Sequence, residues 1–269
     1  MPTRTPNFAH FLLFITLTIL SFLLTEAAIL AIARGPMLET LQNQRLQILA
    51  SALTYVITLV AAKFIFPLIW TRSFLDGISW NAAAASPLLA LGGLLLGFAS
   101  QATESLLPIP KDVPFDQFFH SAPIVWSLVL FGTLIAPLFE EIVFRGFLLP
   151  AIAIAVDWFR LQRTPEAAEA WRSSASPDLA SPDSASLSTF ALVIASILSS
   201  LAFALIHAPQ LGYSWPAVSL LAVVALILAY IRLKTRSVAA STLVHAFYNL
   251  SVFVTLFIST GGFSHLEKV

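Results

Sequence analysis

Seven runs of the sequence, 8–33, 46–70, 82–100, 121–145, 187–207, 215–231 and 238–258, are apolar over close to the ~20 residues a helix needs to cross a bilayer. Lipid offers no partner to a stray backbone amide, so each run must be helical. Of the 269 residues, 58% are hydrophobic and 10% charged, with a mean hydropathy of +0.87. A soluble domain of this length has no use for so much apolar surface. The expected fold is all-α, a polytopic transmembrane helical bundle of seven or eight spans. Arg4 and the small residues Ala31 and Ala33 give the first run a likeness to a signal peptide. That run is longer than the roughly 7–15 residues of a signal core and Glu26 interrupts it, so an uncleaved span is expected.

The chain has no cysteine, which excludes disulfides, thiol catalysis and cysteine-ligated metals. With zero net charge, no basic stripe and no glycine-rich phosphate loop, nucleic acid is not an expected partner; membrane lipid is. Arg232, Lys234 and Arg236 crowd the link before the last run, which reads as cytoplasmic. Seven crossings counted outward from it leave only Arg34, Arg45, Lys111 and Lys268 on the far side. Splitting 121–156 into two spans gives eight crossings and a weaker bias, so 146–156 is expected as an elbow or interfacial helix. Residues 164–189 are rich in Ser, Ala, Pro and Asp and read as a flexible loop. Residues 101–120 read as another, because their prolines do not suit a straight helix.

An ionisable group at membrane depth costs a few kcal/mol or more unless partnered, which makes it a functional suspect. Three clusters stand out. In Glu140-Glu141-Ile-Val-Phe-Arg145, successive helical residues point about 100° apart, so the two acids serve different places. Glu141 and Arg145 share a face at i, i+4, with the acid nearer the N-terminus, and Arg145 is expected to hold Glu141 as a carboxylate. Glu140 has no partner on its own helix, and a buried lone carboxyl titrates nearer the range where a general base works. The same residues also fit a bundle-stabilising ion pair. His207 ends the fifth run, four residues after Phe203, where a lone histidine also fits a plain interfacial residue. His245 and Asn249 stack at i, i+4 inside the last run and can both donate, as an oxyanion requires or as an interhelical clamp would. Together the clusters supply a base, two imidazoles and an amide. That set suits water-driven hydrolysis by Glu140 and His207, with His245 and Asn249 at the oxyanion; Glu140, His207 and His245 equally resemble a ligand set for a divalent metal such as zinc.

The ordered motifs EExxxR followed by glycine (Glu140, Glu141, Arg145, Gly146), FxxxH (Phe203, His207) and HxxxN (His245, Asn249) resemble the CPBP family. That family comprises CAAX prenyl endopeptidases of the Rce type and bacteriocin-processing or bacteriocin-immunity proteins, also called the Abi family. The likeness extends to Ala136-Pro137, Ser199-Ser200-Leu201 and Arg236-Ser237-Val238, and it covers 121–258. It implies an intramembrane protease in the plasma membrane of a bacterium, acting on a peptide or protein substrate. Glu140 would activate water with His207, His245 and Asn249 would steady the oxyanion or help hold metal, and Glu141 and Arg145 would support them. Both a metallopeptidase and a metal-independent glutamate mechanism are described for the family. The implied layout is an N-terminal transmembrane region of unassigned role (1–120), a catalytic membrane core (121–258) and a tail (259–269). A non-proteolytic immunity or scaffold protein of the same fold is the alternative. A transporter would spread its polar groups over more helices and often show an internal repeat. One conflict stands: the expected spans put Glu140 near the cytoplasmic end of its helix and His207 near the outer end of the next.

Overall fold

A computed structural model describes residues 6–33, 35–109, 114–119, 121–161 and 187–266. Among the described residues there are seven long helices: α1 (Phe8–Ala33), α2 (Gln44–Trp70), α3 (Pro87–Glu104), α4 (Ala122–Arg160), α5 (Thr189–Ile206), α6 (Trp215–Thr235) and α7 (Val238–Ser259). There is no strand among the described residues. Six of the seven are long and apolar enough to cross a membrane; α3 falls short because its last turn carries Gln101, Thr103 and Glu104. The architecture is a polytopic, all-helical membrane bundle.

The helix starts follow local chemistry. Side chains of Asn43, Ser188 and Ser237 accept from the first amides of α2, α5 and α7, and Pro87 opens α3 at a position where no amide is needed. Ser188 is itself held by Asp157 near the end of α4, which fixes where α5 turns back along its predecessor. Two further bonds seat α7: Val238 N–H donates to Ser79 O at 3.1 Å, and the Ser237 hydroxyl to Asn81 O at 2.7 Å.

Three sequence expectations need correction or qualification. Residues 101–104, expected in a loop, complete the last turn of α3, whose prolines come only later. Residues 146–156 are no elbow: α4 continues through them as helix, 39 residues in all. At about 1.5 Å per residue it is roughly 60 Å long, nearly twice the ~30 Å hydrocarbon thickness, so Glu140 lies near its middle and not at an end. The expected loop 164–189 lies outside the described residues except for 187–189, and so do 110–113 and His120 of the other.

Helix α4 survives its prolines by widening. It contains π-turns at Phe131–Ile135 and Ile142–Leu148, each closely followed by a proline, Pro137 and Pro150. A proline ring clashes with the carbonyl four residues back, here Thr133 and Gly146, and a wider turn moves that carbonyl away. Helices α1 and α2 bury their aromatic faces on α4, with Phe14 4.6 Å from Phe147, Phe66 5.0 Å from Phe147, and Tyr55 stacked parallel on Phe139 at 3.8 Å. On the other flank α3 lies almost in backbone contact with α7. A Cβ added at Gly93 would come 2.4 Å from Val244 O, and one at Gly97 would come 1.9 Å from Ser251 Oγ. Small residues four apart permit that approach, as they do throughout membrane bundles.

Candidate active site

The middle of α4 holds one buried and one half-open acid. Glu141 is 0% exposed and meets Arg145, itself 1% exposed, at 3.0 Å. The same carboxyl oxygen receives His245 Nδ1 from α7 at 3.1 Å. Arg145 then reaches past its own helix: Nη2 donates to Ala225 O of α6 at 2.8 Å, and Cζ lies 4.9 Å over the Phe203 ring of α5. This one ion pair therefore ties α4 to the other three helices of the site. A buried charge pair depends on partners for its remaining hydrogens and lone pairs; these contacts supply one to each residue and leave Arg145 Nε without one among the described residues.

Glu140, 18% exposed, points away from that pair, as the 100° step between neighbours demands. Its Oε1 lies 3.9 Å from His207 Nε2 and its Oε2 lies 3.7 Å from His245 Nε2. Both separations exceed direct hydrogen-bond reach and suit a water that touches carboxylate and imidazole together. The acceptors behind each ring assign its tautomer. His207 Nδ1 sits 2.7 Å from Phe203 O, and His245 Nδ1 faces the arginine-held carboxylate of Glu141. Neither acceptor carries a hydrogen, so both Nδ1 atoms must, and each ring turns its Nε2 toward Glu140.

The expected conflict between Glu140 and His207 is resolved by the length of α4. Because α4 runs on past residue 141, α5 packs back along its second half and delivers His207 to the level of Glu140. Asn249 is placed differently from the other three. Its Nδ2 donates to Gly132 O at 2.7 Å. The reason lies in the π-turn: Ala136 N–H goes to Phe131 O, and Pro137 has no N–H, so Gly132 O has no partner within its helix. Asn249 supplies one, and any role at an oxyanion falls to its second amide hydrogen.

As a metal site the arrangement does not close. A tetrahedral ion with bonds near 2.0–2.1 Å sets its ligand atoms roughly 3.3 Å apart, whereas Glu140 stands 3.7 and 3.9 Å from the two imidazoles. Among the described residues no three His, Cys, Asp or Glu side chains form a group that fits a metal ion.

Two features went unread in the sequence. Phe203 entered only as a motif letter, yet its ring lies 4.6 Å from His207, 5.7 Å from His245 and 5.0 Å from Phe144, with Arg145 on its face. A buried membrane arginine needs such partners, which was the available signal. The second is Gly93 and Gly97, a small-xxx-small spacing visible in the sequence, which presses α3 onto the helix bearing His245 and Asn249. Of the remaining histidines, His10 packs edge-on against Trp70 at 5.5 Å, far from any acid of the site in sequence.

A family model described as type II CAAX prenyl endopeptidase Rce1-like matches residues 122–251, from the first turn of α4 to the middle of α7. No curated protein and no solved structure matches the chain.

Proposed function

Since residues 122–251 belong to the Rce1-like family, we propose that this multi-pass membrane protein is an endopeptidase that hydrolyses a peptide bond near the membrane surface of a bacterial cell, using water activated by Glu140. The observation that carries the reading is the division of labour between adjacent acids. Arg145 and His245 occupy Glu141, while Glu140 is left facing two imidazole Nε2 atoms.

The steps follow from those positions. A water between Glu140 and His207 gives a proton to the Glu140 carboxylate as its oxygen attacks the substrate carbonyl carbon. The carbonyl π-electrons move onto oxygen, and in this reading His245, with the free amide hydrogen of Asn249, stabilises the resulting oxyanion. In that role His245 presents hydrogens from both ring nitrogens, Nδ1 to the Glu141 carboxylate and Nε2 to the oxyanion. The tetrahedral species then collapses: the C–N bond breaks and Glu140 returns its proton to the leaving nitrogen. Substrates of the expected kinds are a CAAX-type C-terminal tail or a precursor peptide.

Glu140→Gln is nearly isosteric and leaves the Glu141 pair intact. It should insert and fold normally yet lose cleavage of a tail-peptide library by at least 100-fold, the usual weight of a general base. Wild-type turnover in the mutant would rule out the glutamate mechanism and favour a partner-binding immunity or scaffold role for the same fold.

A further inference from the structure

Successive side chains on a helix point about 100° apart, so Phe139, Glu140 and Glu141 leave α4 in three directions. Phe139 lies against Tyr55 of α2, and Glu141 meets His245 of α7. Glu140, between them, faces the gap that α2 and α7 border, with His245 and Asn249 on one flank and Tyr55 on the other. The Tyr55 ring is held at two points. It is parallel to Phe139, 3.8 Å between centroids and 3° between planes, and it stands 5.7 Å from Phe131. Eight regular helical steps would leave Phe131 and Phe139 roughly 80° apart. The π-turn Phe131–Ile135 lets in an extra residue and brings both rings to the face that α2 meets. Stacking at two points fixes the ring, and with it the direction in which the hydroxyl points.

That hydroxyl is the polar end of a side chain packed among phenylalanines, where a phenol ordinarily finds a hydrogen-bond partner. It makes no hydrogen bond among the described residues, yet it is not sealed from its surroundings. The charged group that acts on it is the Glu140 carboxylate. An open donor beside the reacting acid is placed to meet whatever enters the gap. The reaction has a use for it. An oxyanion accepts hydrogen bonds from several directions, whereas the groups on α7 approach from one flank. Asn249 has already given one of its two amide hydrogens to Gly132 O, and His245 donates through Nε2 only while Nδ1 also keeps its hydrogen for Glu141. A phenol carries its hydrogen at neutral pH without such a condition.

We propose that Tyr55 is a further catalytic residue, its hydroxyl donating a hydrogen bond to the substrate carbonyl oxygen as that atom becomes the oxyanion. The proposal rests on the peptidase reading above and adds a donor to it. Tyr55 keeps its own proton throughout; the proton taken from water still passes through Glu140 to the leaving nitrogen. Tyr55 lies outside residues 122–251, so one part of the catalytic machinery comes from the helices that carry no family motif.

The test uses the purified full-length protein in lipid nanodiscs, with a tail-peptide library read by mass spectrometry and kinetics on the best peptide found. Tyr55→Phe removes the hydroxyl and keeps both stacks. It should unfold at the wild-type temperature, lower kcat by about 100-fold, the weight of one oxyanion donor, and leave KM near wild type. Tyr55→Leu removes the stacks as well, so it should lower the unfolding temperature and be no more active than Tyr55→Phe. A Tyr55→Phe protein with wild-type kcat shows that the ring only packs, and overturns the proposal. A loss carried wholly by KM assigns the hydroxyl to substrate binding before reaction, which also overturns it. In either case an inactive Glu140→Gln protein beside an active wild type leaves the peptidase reading standing. Wild-type protein that cleaves no peptide removes that reading and the role of Tyr55 with it.

Discussion

Adjacent glutamates on one helix would be near equivalents in water; in this bundle the step from residue 140 to 141 takes the carboxyl from a half-open cleft into full burial against Arg145. Breaking such a pair by removing one partner strands the other charge, at about 3–5 kcal/mol. Glu141→Gln and Arg145→Ala should therefore each lower the midpoint of thermal unfolding in detergent and also abolish cleavage, unlike Glu140→Gln. The double change Glu141→Leu with Arg145→Met should recover much of the stability and none of the activity, because His245 then loses the acceptor that sets its tautomer. Phe203 acts through its neighbours. Phe203→Leu keeps the volume largely filled but removes the arginine's π-face and the wall of both imidazoles, worth ~1–2 kcal/mol or roughly a tenfold loss in kcat. As a positioning residue it should shift the pH profile, and Phe203→Tyr should restore activity more than stability data alone explain. At this scale the sequence was informative where partners share a helix, as the i, i+4 spacing of Glu141 and Arg145 shows. The tautomers were not legible, because Phe203 O and Glu141 approach the histidines only after helices pack.

The element that organises the site is α4, and its peculiarity is a pair of π-turns flanking the acids. Hydropathy located this helix but ended it near 145 and put an elbow next. The elbow followed from the stronger charge bias of seven crossings over eight, whereas a widened turn lets the helix continue past its prolines. That single difference moved Glu140 from the end of a span to its middle and removed the conflict with His207. Pro137→Ala supplies an amide that can serve Gly132 O in place of Asn249, and it relieves an interior proline that costs a helix ~3 kcal/mol. The variant should unfold at higher temperature than wild type and cleave at least tenfold more slowly, since Asn249 then loses its hold on Gly132 O and is no longer fixed beside the acids. Unchanged activity at raised stability would show that the Asn249 contact with Gly132 O is not needed for cleavage.

Across the whole molecule, the segment without catalytic motifs turns out to be the frame for those that have them. Helices α1 and α2 wall α4 with aromatic rings, α3 presses on α7, and residues 79–81 cap its first turn. None of this could be read from composition, because it depends on which face of each apolar run meets which neighbour. The runs themselves, and the polar groups that three of them carry, were legible. Gly97→Leu tests the frame: a side chain forced against Ser251 and Tyr248 O must push α7 outward. Overpacking of this kind costs ~1–3 kcal/mol or more. Cleavage should fall as far as in the Glu140→Gln variant although no motif residue is touched, and a Gly97→Ala protein should lie between.

The contact of His245 with Glu141 spans 104 residues of sequence. At ~5–20 residues per second of synthesis, the acids of α4 precede their last partner by several seconds or more. During that interval two carboxyls and a guanidinium are committed to the bilayer before α5, α6 and α7 have emerged to shelter them. Insertion of α4 is thus a debt carried by the nascent chain until α7 is made.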